Sequence, residues 1–266
     1  MNPRFIHFLF IAVCVACSAS AAERPNVVLF YIDDMGYADP SCFGNPEIKT
    51  PNIDRLAHEG LKLTNYYTNS PICSPSRVAL NTGQAPGRHR VWGHFASKEQ
   101  NKKRNMADFL DPDVQTIAKV LKADGYVTAH FGKWHMGGGR DVVAPLPQAY
   151  GFDESLVSFE GLGERILFDT KGLSGASAKL GHGEHRIVEK HESSGIYVDR
   201  AIDFIIRNKD KPFYLHVFPN DVHDKHVATE EKLAKYENYE KDPFLQAFLA
   251  VLDNCLLYTS DAADES

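Results

Sequence analysis

The stretch NVVLFYIDDMG, residues 26–36, decides the fold. From Asn26 to Ile32 it is continuously apolar, β-branched and aromatic, without the polar alternation of a half-exposed strand. A run of that kind is the pattern of a parallel strand covered on both faces. It stops at two adjacent carboxylates, Asp33 and Asp34, with Gly36 close behind. Two later runs share its character. YVTAHFGKW (126–134) follows the amphipathic VQTIAKVLKADG (114–125), and KPFYLHVFP (211–219) follows the amphipathic IYVDRAIDFIIRN (196–208). TPNIDRLAHEG (50–60) predicts a helix with Thr50 as N-cap, Pro51 at the first helical position and Gly60 at the end. LKLTNYYT (61–68) reads as a strand, and SRVALNTG (76–83) as a short helix beginning just after Cys73. Helices alternating with apolar strands imply an α/β class, with a mainly parallel central sheet flanked by helices.

With 266 residues the chain is long enough for one large α/β domain or two small ones, and neither a repeat nor a linker divides it. The composition, 43% hydrophobic and 24% charged with a net charge of −6, is that of a globular chain in which basic residues are the minority. A nucleic-acid partner is therefore not expected. KEQNKKRN (98–105) reads as a solvated loop, and the Gly-rich KGLSGASAKLGHGEH (171–185), with His182 and His185, as a long surface loop.

Both ends carry segments to be set apart. Residues 1–22 combine Arg4, an apolar run from Phe8 to Ala16 and small residues before Glu23, the layout of a cleaved secretory signal. The run is too short for a stable membrane span, so a secreted or periplasmic protein is expected. A lipoprotein cut before Cys17 is the lesser alternative, because the residues preceding that cysteine fit poorly. At the other end CLLYTSDAADE (255–265) resembles the translation of a sequencing-library adapter and interrupts the amphipathic PFLQAFLAVLDN (243–254). Residues 255–266 are accordingly expected to be an assembly artefact with no place in the sheet. The catalytic unit is then 23–254, incomplete at its C-terminus, and the helix around Phe244 to Leu252 should keep an uncovered apolar face.

Outside these segments only Cys42 and Cys73 remain. One disulfide between them is open to an exported protein. The neighbours of Cys73 point elsewhere. A helix starting near it would aim backbone amides at an anion, and Arg77, four residues on, would offer a fixed fork of donors to the same group. Charged residues also close the apolar runs: Asp33 and Asp34 after the first, Lys133 and His135 after the second, His223 after the third. In open α/β sheets, sites assemble at the carboxyl ends of strands. The Asp33–Asp34 pair suits either an exposed turn or a hard divalent cation.

The stretch CSPSRVALNTG (73–83) resembles the sulfatase signature C-x-P-S-R followed by x-x-L-x-T-G, and GYVTAHFGKWH (125–135) resembles the second sulfatase signature. The strand NVVLFYIDDMGYAD and the helix TPNIDRLAHEG are similar to the family's first metal-binding segment, so the likeness extends over about 25–254. It implies an alkaline-phosphatase-like fold and hydrolysis of sulfate esters. It further implies that a formylglycine-generating or anaerobic sulfatase-maturating enzyme converts Cys73 to formylglycine, which explains an unpaired cysteine. One hydroxyl of the aldehyde hydrate attacks sulfur, and loss of the other hydroxyl's proton expels sulfate. Carried over by the resemblance, Asp33 and Asp34 are ligands of a Ca2+ that also holds the Cys73-derived hydrate. Arg77 stabilises the hydrate, Lys133 holds the sulfate, His135 pairs with the second hydroxyl and His223 stands on the leaving-group side, with His226 as its rival.

The family's later metal-binding segment has no counterpart except TSDAAD, inside the adapter-like tail, so Asp261 is not taken as a ligand. A phosphatase or phosphodiesterase of the same superfamily is the nearest rival; there a Ser or Thr nucleophile is expected. An inactive binder of sulfated glycans is the rival from another class. The expected substrate is a sulfated carbohydrate, by analogy alone.

Overall fold

In the computed structural model, residues 24–159, 165–169, 172–173 and 184–264 are described, with 254–264 as backbone only. The signal-like residues 1–22 and most of the Gly-rich segment fall outside them. Among the described residues six strands make one sheet: β1 (Val27–Phe30), β2 (Val127–Lys133), β3 (Glu154–Ser158), β4 (Arg165–Phe168), β5 (His185–Val188) and β6 (Phe213–Phe218), in the order β1-β6-β2-β3-β4-β5. The first four of that order are parallel, and β4 and β5 add antiparallel edge strands. The mainly parallel sheet is as expected.

The continuous apolar runs are explained by covering on both faces. On one face Val78, Ala118, Trp134, Tyr150 and Phe152 pack together; on the other Ala129, Phe131, Leu215 and Val217 meet Tyr197, Ala201 and Phe204. Those three side chains belong to the longest interior helix, α5 (Ser193–Asn208). The preceding helices are α1 (Pro51–Glu59), α2 (Cys73–Thr82), α3 (Lys98–Lys103) and α4 (Ile117–Ala123); α6 (Glu230–Ala234) and α7 (Pro243–Asp264) follow. At Gly132, φ is +126° and a Cβ would stand 2.1 Å from the Phe218 carbonyl oxygen, so only glycine lets β2 press against β6 just before Lys133.

Four local expectations are corrected. Residues 61–68 form no strand: Leu61, Leu63, Tyr66 and Tyr67 are exposed, and β-propensity without a neighbouring strand does not make one. Thr50 occupies the N-cap position of α1 but makes no capping bond. Its hydroxyl donates to Asp54 at 2.8 Å and accepts from the Ser41 amide at 3.0 Å. Gly60 caps the C-terminus of α1 as expected, whereas Lys98–Lys103, read as part of a solvated loop, form helix α3, capped by the Ser97 hydroxyl accepting from the Gln100 amide. Finally, the apolar face of α7 is largely covered over its described side chains: Leu249 and Leu252 are buried against Ile48 and Val222, while Phe244 stays exposed. The loops after β1 and β6 supply that cover. The described backbone of the adapter-like tail continues α7 as helix and adds no strand to the sheet. Among the described residues no helix is long and apolar enough to cross a membrane.

Candidate active site

β1, β6 and β2 end side by side, and their carboxyl ends bring together residues far apart in sequence. Asp33, just past β1, is fixed by its amide donating to the Pro219 carbonyl at 3.1 Å. Helix α2 starts at Cys73 itself, three residues earlier than the sequence suggested. Pro75 falls in the first turn, where amides lack helical partners, and so costs nothing. One turn on, Arg77 is wholly buried. Its NH1 donates to the Lys133 carbonyl at 2.7 Å and its NH2 to Asp33 Oδ1 at 2.9 Å. The guanidinium also lies over the rings of Phe218 and Tyr31, 5.3 and 5.6 Å from their centroids. The Lys133 ammonium, equally buried, donates to Asp33 Oδ2.

Asp33 is thus a buried carboxylate between two buried cations, which leaves the cluster one net positive charge, with Arg77 Nε lacking a hydrogen-bond partner among the described residues. Burial pushes its carboxyl up, but the adjacent Arg77 and Lys133 charges and their hydrogen bonds outweigh it and hold it well below the usual carboxylate range. Burial also pushes the Cys73 thiol up, against the pull of Lys133 and Arg77. The unmodified thiol therefore stays protonated near neutral pH and is a poor nucleophile.

His135 sits in the left-handed region at a φ of 45°, an uncommon backbone state for a non-glycine residue. Its Nε2 donates to the Phe95 carbonyl at 3.4 Å. Its Nδ1 is buried and has no hydrogen-bond partner among the described residues. Burial, then the Lys133 and Arg77 charges, pull this imidazole well below its ordinary pKa, so the ring is neutral and Nδ1 carries a bare lone pair.

A cavity of about 640 Å³ opens at the Asp33 and Cys73 side of this cluster, lined by Tyr31, Asp33, Asp34, Cys73 and Ser76. Asp34 also has a positive φ, 63°, and turns an exposed carboxylate toward His223, whose Nε2 is 3.8 Å from Asp34 Oδ2. His223 Nδ1 donates to the Asp224 carbonyl at 2.7 Å, which leaves Nε2 as the nitrogen on the Asp34 side. His226 is elsewhere: its Nε2 donates to the Val222 carbonyl at 3.0 Å, and its ring packs edge-on to Phe244 and Phe248.

The donor atoms of Asp33, Asp34 and His223 all lie within 4.8 Å of one another. Two carboxylates this close, one of them exposed, fit a hard divalent cation, although three atoms are fewer than the 6–8 oxygens calcium takes. All seven sequence-identified residues, Asp33, Asp34, Cys73, Arg77, Lys133, His135 and His223, therefore gather at this one end of the sheet. Sequence reasoning missed Tyr31, whose hydroxyl bonds the Ser76 hydroxyl, and the buried pair His130 and His216. The signal available for each was a polar group within an otherwise mostly apolar run.

Residues 25–265 match the sulfatase family model. The chain belongs to the sulfatase family. It is 44% identical to human steryl-sulfatase over 139 residues, covering 50% of this chain and 22% of that protein. The N-acetylgalactosamine-6-O-sulfatase of Bacteroides thetaiotaomicron is 28% identical over 256 residues, covering 76% of this chain and 49% of that sulfatase. The chain thus spans half or less of the length of these curated relatives. A protein solved in complex with its substrate, D-glucosamine-2-N,6-O-disulfate, is 26% identical with a TM-score of 0.60, over 81% of this chain and 38% of that one. The fold is also that of an alkaline phosphatase superfamily protein from Vibrio parahaemolyticus, at a TM-score of 0.53 and 22% identity, over 91% of this chain and 51% of that one.

Proposed function

We propose that the protein is a sulfuric ester hydrolase acting on a sulfated carbohydrate through a formylglycine made from Cys73. The observation that carries this reading is the buried Arg77–Asp33–Lys133 cluster beside Cys73 at the N-terminus of α2. It provides fixed positive charge around a residue that is unreactive until modified. The sulfated sugars named for the sulfatase relatives support the substrate class.

Asp33 and Asp34 would hold a Ca2+, which when bound neutralises charge on the sulfate oxygens. Formylglycine, once formed, contributes two hydroxyls on one carbon as its hydrate. The chain's own residues do the rest. Arg77 is locked by two hydrogen bonds and keeps Asp33 and the Lys133 backbone in place. Lys133 has three donors on its ammonium, so it can retain Asp33 and still bind a sulfate oxygen. His135, neutral with a bare and buried Nδ1, is suited to take the proton of the second hydroxyl as sulfate leaves. His223, oriented by the Asp224 carbonyl, turns Nε2 toward Asp34, from where it would donate to the departing alcohol oxygen.

Export through residues 1–22 and a foreign tail from Cys255 belong to the same reading; N-terminal sequencing of the secreted protein should begin near Glu23. The central test pairs two measurements on the full-length protein co-expressed with a maturating enzyme. Mass spectrometry of the tryptic peptide containing residue 73 should show aldehyde in place of thiol, and the matured protein should release sulfate from 4-nitrophenyl sulfate or from a 6-O-sulfated amino sugar. An unconverted Cys73 with phosphate-ester hydrolysis would favour the phosphatase reading, and an unconverted Cys73 with glycan binding alone the inactive binder.

A further inference from the structure

His130 on β2 and His216 on β6 are aligned in the parallel register of the two strands and face each other with no solvent exposure. Their Nδ1 atoms are 3.1 Å apart. The outer nitrogens are engaged as well: His216 Nε2 lies 2.5 Å from the Tyr214 hydroxyl, and His130 Nε2 lies 3.3 Å from the Lys133 carbonyl oxygen. The surroundings are aromatic. Trp134 and Phe152 meet the His130 ring edge-on, and Phe218 stacks on His216 with centroids 4.4 Å apart.

The proton positions follow from what each group can do. A carbonyl oxygen only accepts, so His130 Nε2 carries a hydrogen. Apolar walls disfavour a charged ring, and burial pulls both imidazoles down, His130 to about 3. His130 Nδ1 is then bare, and His216 must donate to it through its own Nδ1. That leaves His216 Nε2 bare to accept the Tyr214 hydroxyl. Three hydrogen bonds run in one direction, from Tyr214 through His216 and His130 to the Lys133 carbonyl.

The terminal acceptor is shared with the active site, because the same Lys133 oxygen accepts Arg77 NH1 at 2.7 Å. We propose that Tyr214, His216 and His130 are positioning residues: their relay pins the Lys133 carbonyl, and through it the Arg77 guanidinium that holds Asp33. A carbonyl oxygen has two lone pairs, and here one takes the imidazole and the other the guanidinium. With both filled, the peptide plane at which β2 leaves the sheet cannot rotate without breaking a buried bond. An apolar pair would fill the same space without that directional hold, whereas a fully satisfied polar chain selects one arrangement. The catalytic consequence rests on the sulfatase reading of Arg77 and Lys133; the relay itself does not.

Two measurements test this. Nitrogen-15 NMR of labelled histidines at pH 7, assigned with His130→Phe and His216→Phe, should show two neutral rings, His130 protonated at Nε2 and His216 at Nδ1. A charged ring, or His216 protonated at Nε2, overturns the relay whatever the enzyme hydrolyses. In the matured full-length enzyme His130→Phe, which keeps the ring shape and removes the donor, should lower kcat for 4-nitrophenyl sulfate by about tenfold or more with KM little changed. His130→Gln, with an amide donor and a carbonyl acceptor, should recover kcat to within about threefold of wild type. Wild-type kcat in His130→Phe overturns the positioning role, and so do equal losses in both variants that track lost thermal stability. If His130→Phe does not fold, the tautomers and His130→Gln decide. A wild-type enzyme that releases no sulfate after verified conversion of residue 73 sinks the sulfatase reading, and the NMR result still decides the relay.

Discussion

Arg77 donates to Asp33 at 2.9 Å with neither side chain open to water, at 0% and 5% exposure, while Lys133 closes on the other carboxylate oxygen. Removing the guanidinium leaves Asp33 Oδ1 and the Lys133 carbonyl oxygen buried without that donor, at a cost of about 3–5 kcal/mol. Arg77→Ala should lose stability on that scale in urea denaturation, and hydrolysis with it. Arg77→Lys keeps the charge but cannot reach both Asp33 and the Lys133 carbonyl. It should regain part of the stability and little of the activity; wild-type kcat in this variant would contradict the role given to the guanidinium.

Cys73 begins α2 and carries a thiol that burial keeps protonated. Cys73→Ala should abolish sulfate release while the circular dichroism spectrum and Tm stay near wild type. Cys73→Ser should also fail, or stall after one sulfate is bound, since one hydroxyl can attack but none is left to expel the product. Multiple turnovers by the serine variant would rule out the formylglycine mechanism.

Asp33 and Asp34 differ in their surroundings, so their substitutions should separate. Asp34→Asn, at the exposed position, should lower bound calcium, measured by atomic emission, and activity together, with little loss of stability. Asp33→Asn should lower both and destabilise the fold, because it leaves Arg77 and Lys133 buried without their counter-charge. Two tightly held zinc ions in the wild type would point to the phosphatase class instead.

The buried imidazoles set the acid side of stability. His130, His135 and His216 are neutral in the fold, with pKa values depressed by burial, to about 3 for His130. In the unfolded chain they titrate near 6.5, so above that pH neither state binds the proton and stability is complete. As pH falls below it the unfolded chain gains protons that the fold refuses, and each such histidine removes about 1.4 kcal/mol per pH unit. Asp33, also depressed, adds its loss only below about pH 4. Urea midpoints should therefore hold from pH 7.5 to about 6.5 and fall steadily from there to pH 5.5. A midpoint that rises over this range would show that these rings are charged in the fold.

The buried part of α7 reaches Leu252, at 0% exposure. Leu252→Ala should cost about 2–5 kcal/mol through the cavity it leaves. Deleting 255–266 should change Tm far less, as expected of a foreign tail. A loss on deletion comparable to that of Leu252→Ala would show that the tail packs on the fold.

The chain's own order carried β1, β2 and β6, because an apolar run long enough to be covered on both faces is a local property. It also carried α2 and the spacing of Cys73 and Arg77, since one helical turn sets what the two can reach. The same local logic misplaced a strand at 61–68, where the pattern was present and the partner strand was not. It also left the apolar face of α7 open, because Ile48 and Val222, which cover it, arrive from distant loops. Which cations neutralise Asp33 was decided only in three dimensions: Arg77 is 44 residues away and Lys133 100, joined by the parallel placement of β1, β6 and β2. The His130–His216 contact, across 86 residues, depends wholly on strand register, and a slip of one residue would turn the two rings to opposite faces. Apolar burial is non-directional and shows in composition and period, whereas a hydrogen bond needs two atoms brought within about 3 Å, which only the assembled sheet provides.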